Sequence, residues 1–187
     1  MNTRVENNRI YAPNTPQMKG VLALKERLLD VCDCMRMVHI GAFYGEPTII
    51  FSTAFLEVNV VDVFQGRDST YINIQEILNE FRKNVEYIKN INYIHAASLT
   101  AVSDFPDDSL DFIYLDGDVG PGVIKQDIVN WYPKIKMDGY IGGRNYKVGK
   151  RGHTCDSTKM ISKLLYPIDK SFSGGLFIKS KIRRELL

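Results

Sequence analysis

Apolar residues recur along the chain in two patterns, one typical of strands and one typical of helices. Short apolar runs rich in β-branched residues predict five strands, at 35–40, 57–64, 91–95, 110–115 and 139–143. Helices are predicted between and around these runs, from the helical spacing of apolar residues at 18–33 and 71–90 and also at 123–135 and 157–165. The segment 47–55 has room for a further short helix. Two last strand candidates, 168–172 and 176–179, are joined through the turn dipeptide Gly174-Gly175.

This alternation favours an α/β fold, in which a doubly wound, mostly parallel sheet carries helices on both faces. The closing pair has no helix between its strands, so we expect that pair to be antiparallel. The sequence thus predicts a seven-stranded sheet with one reversed strand at its C-terminal end. All 187 residues are expected to form one domain, with residues 1–17 as an irregular N-terminal arm.

Composition and charge narrow the classes of partner. The chain is 44% hydrophobic and 25% charged, and its net charge of +2 indicates no overall attraction to nucleic acid. The N-terminus is polar, and no stretch approaches the roughly 18 apolar residues that span a bilayer, so we expect a soluble, cytoplasmic protein with no membrane partner. There are three cysteines, and Cys32 and Cys34 lie one residue apart, which fits free thiols better than a disulfide framework.

The first two predicted strands are each associated with residues suited to ligand binding, which in a doubly wound sheet occurs beyond the carboxyl ends of the strands. Gly41-Ala42-Phe43-Tyr44-Gly45 follows the first strand, and its glycines let the backbone turn tightly against a ligand. This turn matches neither the dinucleotide fingerprint nor the P-loop, and a plain strand-to-helix turn is the alternative. Asp62 lies near the end of the second predicted strand, 21 residues after Gly41, where a carboxylate can accept both ribose hydroxyls. A solvated strand-end aspartate is the alternative.

Polar residues also follow the three later strands. Ala97 and Ser98 come after the third, where small residues admit an adenine ring and a hydroxyl can bond its edge. Asp116 and Asp118 come after the fourth. Because burying unpartnered carboxylates is costly, this pair is expected to face a ligand, a metal or a cation, unless it forms a helix-capping turn. Arg144 follows the fifth strand, where a functional role and a simple salt bridge are equally open.

These residues belong to a longer pattern that is similar to a known family. The segments that carry it are Glu80–Val85, Ala97-Ser98, Phe105–Asp118, Lys125–Ile128, Trp131, Pro133 and Lys136–Gly143. Through them, the stretch from about Val38 to Tyr146 resembles the class I S-adenosylmethionine-dependent methyltransferases. The resemblance is nearest to the branch of small-molecule and sugar O-methyltransferases that includes the macrocin-type enzymes.

The resemblance implies a Rossmann-like fold, with S-adenosylmethionine as cofactor. It assigns the turn from Gly41 to Gly45 to the methionine part of the cofactor and Asp62 to the ribose. Ala97 and Ser98 resemble the adenine-contacting positions. Asp116 is similar to the residue that lies near the sulfonium and the acceptor.

The sequence departs from the family pattern at three places that bear on a metal. An acid usually precedes the glycine turn, whereas this chain has His39, which by itself reads as a buried core histidine. The family commonly has His after Asp-Gly-Asp, where Val119 stands here, and Gly-Gly-His-Asp-Tyr where this chain has Arg144 and Asn145 in the His and Asp positions. Hard cations prefer several charged oxygen ligands, so we expect a weakened or absent divalent metal site and assign no metal ligand.

We therefore expect a methyltransferase that acts on an oxygen of a small molecule or sugar. Asp116, Asp118 and Arg144 are the candidate catalytic residues, with Asp118 or His153 as general base and Arg144 orienting the acceptor. The acceptor site must come from loops, the N-terminal arm or a partner subunit of a homo-oligomer. Two alternatives are open: a protein that binds S-adenosylmethionine but has lost transfer, and another nucleotide-binding α/β protein such as an oxidoreductase.

Overall fold

Seven strands form one sheet in the part of the chain that the computed structural model describes, residues 15–65, 73–117, 120–146 and 155–181. The strands are β1 (Arg36–Ile40), β2 (Glu57–Asp62), β3 (Ile91–His95), β4 (Leu110–Leu115), β5 (Ile135–Gly143), β6 (Lys170–Phe172) and β7 (Leu176–Ser180). Their order across the sheet is β3-β2-β1-β4-β5-β7-β6. The crossover between β3 and β4 makes the boundary between β1 and β4 the topological switch point, where such sheets bind ligands.

Only β7 runs against the other strands. The pairs from β3 to β5 across the sheet are parallel, whereas β7 is antiparallel to both β5 and β6. The prediction of a mostly parallel sheet with one reversed strand near its C-terminal end is therefore confirmed, and the glycine pair 174–175 makes the turn as expected.

Helices cover both faces of the sheet. They are α1 (Pro16–Val31), α2 (Glu46–Ser52), α3 (Ile74–Val85), α4 (Ser98–Ala101), α5 (Pro121–Trp131) and α6 (Asp156–Leu165), with short 3₁₀ turns at 102–104 and 132–134. The apolar stripe of α1, Val21, Leu24 and Leu28, is fully buried with α2 against one face. On the other face, Ile128 and Trp131 of α5 pack with α6. No helix in the described ranges is long and apolar enough to cross a membrane.

The pattern of β4 shows why the sheet is buried on both sides. Phe112 and Tyr114 point to the α1 and α2 face, and Ile113 points to the α5 and α6 face. A strand that is covered on both faces reads as a continuous apolar run, which is what the sequence presents here.

The least well predicted element is β5, which begins at Ile135 rather than 139. Its first residues include the polar Lys136 and Asp138, and the pairing with β4 shifts register between Leu110 and Phe112. Lys136 is held by an ion pair with the buried Asp111 at 2.8 Å. The start of β5 is thus stabilised by a tertiary contact and not by alternating apolar residues. A sequence pattern therefore gives no sign of it.

The carboxylate of Asp169 binds the reversed strand β7 to the segment that precedes β6. Asp169 accepts hydrogen bonds from Lys179 Nζ at 2.8 Å and from the Ser180 N–H at 2.6 Å, and Lys179 is buried. Burial acts to raise the pKa of Asp169, but the hydrogen bonds from Lys179 and Ser180 outweigh it and hold that pKa below its usual value. Asp169 therefore stabilises the fold in its ionised form.

We expect Asp169→Asn to lower the free energy of unfolding by about 1–2 kcal/mol near neutral pH, because it leaves the buried Lys179 ammonium without its counter-ion. The pKa of Asp169 is depressed in the folded state, so its stabilisation is present above the unfolded pKa. It is lost as the pH falls through the folded pKa, and the gap between variant and parent should close in acid. Urea unfolding at several pH values measures this.

The matched control is Asp107→Asn, because Asp107 is 65% exposed and pairs with Lys134 at 2.7 Å on the surface. Surface ion pairs contribute only about 0–1 kcal/mol to stability, so Asp107→Asn should lower the free energy of unfolding less than Asp169→Asn does. Equal losses for the two variants at neutral pH would contradict the assigned role of Asp169.

Candidate functional site

The carboxyl ends of the central strands meet at one edge of the sheet. Ile40 of β1 pairs with Val61 of β2 and Leu115 of β4, and Leu115 pairs with Gly143 of β5. Sheet-like hydrogen bonds continue one residue further. The Gly41 N–H donates to the Val61 carbonyl at 2.9 Å, the Asp116 N–H to the Ile40 carbonyl at 2.8 Å, and the Arg144 N–H to the Leu115 carbonyl at 3.1 Å.

This register brings together four residues that the sequence singled out separately. Gly41, Asp62, Asp116 and Arg144 lie side by side at this edge, around the switch point between β1 and β4. Asp118 and His153, the candidate bases, and Val119 fall outside the described residues.

The glycine turn depends on left-handed backbone at its start and end. Gly41 has φ +82° and Gly45 has φ +90°, a region that other L residues enter only with strain. A Cβ on Gly41 would lie 2.3 Å from the Gly117 Cα, so the turns after β1 and β4 are in direct backbone contact. Only glycine fits at this position.

Within the turn, two side chains face the protein rather than the edge of the sheet. Ala42 and Tyr44 are buried in a cluster with α3, and the Tyr44 carbonyl accepts a hydrogen bond from Asn84 Nδ2 at 2.9 Å. Burial raises the pKa of Tyr44, and the carboxylates of Glu80, Glu46 and Glu76 add to the effect. The buried side chains anchor the turn, which leaves its backbone and the half-buried Phe43 as the parts available to a ligand.

Asp62 holds the turn in place through its carboxylate. Oδ2 accepts the Phe43 N–H at 2.7 Å, and Oδ1 accepts the Phe64 N–H at 2.7 Å. Each carboxylate oxygen has a further lone pair, so the group can still accept two hydroxyl hydrogens. The geometry fits a ribose acceptor whose orientation is set before the ligand arrives.

Ser98 has a contact that its sequence position did not reveal. Its hydroxyl donates to Asp127 Oδ1 at 2.6 Å and accepts the Trp131 Nε1–H at 2.7 Å, so it joins α4 to the buried face of α5. The hydroxyl is thus engaged on the protein side, while Ala97 is exposed. Contact of Ala97 and Ser98 with an adenine stays a prediction, and the hydroxyl of Ser98 is not the group best placed to make it.

Asp116 and Arg144 form a buried ion pair. The side chain of Asp116 is 3% exposed and that of Arg144 is 13% exposed. Arg144 Nε pairs with Asp116 Oδ1, and Arg144 Nη2 donates to the Asp116 carbonyl at 3.0 Å. The sequence allowed either a functional role or a simple salt bridge for Arg144. The salt bridge is present, and it lies within the candidate site.

His39 lies close to Asp116 of this pair. Its side chain is fully buried, Nδ1 is 2.8 Å from Thr48 Oγ1, and Nε2 is 3.9 Å from Asp116 Oδ2. The sequence indicated a buried core histidine, and it could not show that the ring approaches Asp116. Position 39 itself carried a signal, since it departs from the family pattern.

In the described ranges, no group of three or more His, Cys, Asp or Glu side chains could hold a metal ion. The donors at this edge of the sheet fit an adenosine-bearing cofactor better. The fixed Asp62 carboxylate suits a ribose, and the glycine turn beside it presents backbone groups and the half-buried Phe43 to a ligand.

Comparison with known proteins bears on the same region. The sequence model of a family described as a methyltransferase domain matches residues 38–146, more than half of the 187-residue chain. This span includes the carboxyl ends of β1, β2, β4 and β5, which form the candidate site. None of the curated protein sequences matches the chain.

Solved structures share the fold at low sequence identity. A Staphylococcus aureus protein assigned as a caffeoyl-CoA O-methyltransferase has a TM-score of 0.67 at 14% identity, covering 95% of this chain and 88% of that one. The O-methyltransferase NovP has a TM-score of 0.64 at 16% identity, covering 90% and 80%. A phosphoethanolamine N-methyltransferase from Haemonchus contortus, solved with phosphoethanolamine and S-adenosylhomocysteine, has a TM-score of 0.59 at 14% identity, covering 93% and 45%. These likenesses confirm the predicted Rossmann-like fold.

We expect Gly41→Ala to lower the free energy of unfolding by about 1–3 kcal/mol, because a methyl group at this left-handed position meets the backbone of Gly117. It should also weaken binding of S-adenosylhomocysteine, since the two turns must move apart. Chemical denaturation and calorimetric titration measure the two effects.

Gly122→Ala is the matched control, because a Cβ there meets nothing within 4 Å and the residue lies in α5. It should leave stability unchanged or raise it by up to about 1 kcal/mol. If both variants behaved alike, the backbone contact between the two turns would not be what restricts position 41.

Proposed function

Since this chain belongs to the methyltransferase domain family and is an S-adenosylmethionine-dependent methyltransferase, we propose that it methylates a hydroxyl oxygen of a small molecule or sugar, without a divalent metal. The observation that carries the proposal is the buried pair of Asp116 and Arg144 beside the glycine turn. It puts a fixed positive charge where metal-dependent relatives of this branch are expected to hold a cation.

The cofactor would be held by the residues that the strand ends bring together. The backbone of the turn from Gly41 to Gly45 would contact its methionine part, and Asp62 its ribose. Ala97 and Ser98 would lie beside the adenine, while the hydroxyl of Ser98 remains hydrogen-bonded to Asp127 of α5. When bound, S-adenosylmethionine supplies the electrophilic methyl group.

Transfer to oxygen is an in-line displacement, in which the methyl group leaves sulfur and bonds to the acceptor oxygen while the hydroxyl proton passes to a base. The rate of such a step depends above all on alignment of donor and acceptor. Asp116 and Arg144 would supply that alignment from the floor of the site. Asp118 or His153 would take the proton as general base.

The ion pair supports a mechanism without a metal. A carboxylate that already contacts a guanidinium is a poor ligand for a divalent cation, because sharing it would set three positive charges against one negative charge, and displacing Arg144 would leave the guanidinium buried without its partner. Arg144 is always charged, so it can orient an acceptor hydroxyl or anionic group at any working pH.

We propose a cytoplasmic location for the enzyme. Cys32, Cys34 and Cys155 form no disulfide with one another. Cysteines that are not joined in disulfides are typical of proteins that work in a reducing compartment.

The test of the function is transfer of a labelled methyl group into a panel of sugars, phenols and amines. We expect label in hydroxyl acceptors and an unchanged rate in a chelator such as EDTA, because no step needs a divalent ion. Loss of activity in EDTA that Mg²⁺ restores would contradict the metal-free mechanism. Label in amines alone would contradict O-methylation, and cofactor binding without transfer to any acceptor would favour the alternative of lost transfer.

A second prediction concerns Asp62. The parent protein should bind S-adenosylhomocysteine about 10–100 times more tightly than its 2′-deoxy analogue, because a hydrogen bond to a charged group contributes about 1.5–3 kcal/mol. In Asp62→Ala, binding of S-adenosylhomocysteine should be weak and the difference between the two ligands should vanish.

The two-ligand comparison is needed because Asp62 also holds the turn through Phe43. A variant that only loosened the turn would weaken both ligands equally and keep the difference between them. Such a result by calorimetry would assign Asp62 to the turn and not to the ribose.

A further inference from the structure

His39 is the buried polar residue of the site that the proposed mechanism does not yet use. It lies in β1 opposite Tyr114 of β4, on the face of the sheet covered by α1 and α2. Its ring packs edge-on against Tyr114, with centroids 5.1 Å apart, and against Phe51 at 6.4 Å. These aromatic contacts fix the plane of the imidazole, so only its two nitrogen atoms are left for polar contacts.

The two nitrogens point to different parts of the site. Nδ1 is 2.8 Å from Thr48 Oγ1, in the first turn of α2, the helix that follows the glycine turn. Nε2 is 3.9 Å from Asp116 Oδ2, with both side chains almost completely buried. His39 thus lies between the segment that shapes the cofactor turn and the carboxylate on the acceptor side.

This arrangement selects one form of the neutral ring. A lone pair on Nε2 would face the lone pairs of a buried carboxylate, which is repulsive, whereas an Nε2–H directs its positive end toward Asp116. Nδ1 then accepts the hydroxyl hydrogen of Thr48. Nε2 has no hydrogen-bond partner among the described residues, and at 3.9 Å the Asp116 carboxylate is too far for a hydrogen bond. The carboxylate therefore acts on an Nε2–H through its charge, which favours that tautomer in a buried site.

We propose that His39 is a positioning residue that, as the Nε2–H tautomer, joins Thr48 of α2 to Asp116 and so couples the cofactor turn to the acceptor side of the site. The consequence for transfer rests on the proposed function, while the tautomer and the contacts do not. An acid at position 39 could not do this, because it would place a second negative charge against Asp116. Arg144 neutralises one carboxylate, and a neutral imidazole keeps the buried group balanced.

The first test observes the ring directly in the unliganded protein. In ¹⁵N-histidine-labelled protein, with the His39 signals identified by their loss in His39→Gln, Nε2 should be protonated and Nδ1 not. Asp116→Asn should shift the Nε2 signal and leave the signals of His95 unchanged. Protonation of Nδ1 alone or of both nitrogens, or an Nε2 signal that ignores Asp116→Asn, would overturn the proposal.

The second test separates the two contacts with amides that replace one nitrogen each. His39→Asn places its amide near Nδ1, so it keeps the Thr48 contact and loses the one with Asp116. We expect it to bind S-adenosylhomocysteine within about threefold of the parent while kcat falls about tenfold or more. The glutamine of His39→Gln reaches toward Asp116 and not toward Thr48. This variant should therefore retain more of kcat than His39→Asn and bind S-adenosylhomocysteine more weakly.

Thr48→Val tests the same contact from the other side. It removes the hydroxyl at nearly constant volume and should weaken S-adenosylhomocysteine binding as His39→Gln does. Thr53→Val is the control, since Thr53 is exposed at the end of α2 and its hydroxyl bonds only within the helix. Equal affinities for the two threonine variants, or equal effects of His39→Asn and His39→Gln on both binding and kcat, would overturn the coupling.

These measurements separate this inference from the proposed function. If no hydroxyl acceptor were methylated, O-methylation would fail while the ¹⁵N signals and the binding of S-adenosylhomocysteine still tested His39. If transfer were observed but the ring adopted another tautomer, the inference would fail and the proposed function would stand.

Discussion

The site depends on the in-register ending of four parallel strands. β1, β2, β4 and β5 stop at the same edge, and the backbone contact between Gly41 and Gly117 brings the turns after β1 and β4 together. A turn, two carboxylates and a guanidinium from distant parts of the sequence therefore meet at one edge of the sheet. The apolar packing on both faces of the sheet supplies the rigidity that this edge needs, because side chains on strand ends are held more precisely than side chains on loops.

Charge balance is the second constraint. Asp116 is almost fully buried, and a carboxylate in such a place must have a partner. Arg144 is that partner, and the nearby His39 ring, in the neutral form that we propose, adds no further charge. The departures from the family pattern at positions 39 and 144 thus read as one arrangement, in which a carboxylate that could serve a cation is neutralised from within the chain.

Much of the fold could be predicted because its signals are local. The apolar run of β4 and the glycine pair before β7 each determine structure through neighbouring residues, and both predictions were confirmed. The start of β5 could not be found, since Lys136 is held there by Asp111 from another strand. Within the site, the sequence located the residues at the strand ends. It did not reveal the side chains that Ser98 and His39 contact. Those partners lie on other elements, and only the packing of α2 and α5 brings them within reach.

The carboxylate of Asp62 has a consequence for redesign of the enzyme. The same two oxygens that we propose for the ribose of the cofactor already accept the Phe43 and Phe64 N–H groups. A substitution meant to admit a modified methyl donor would therefore also release the turn that any donor needs. If the residues beyond β3 contact the adenine as we propose, donor selectivity is best engineered there, because Asp62 then keeps the turn assembled.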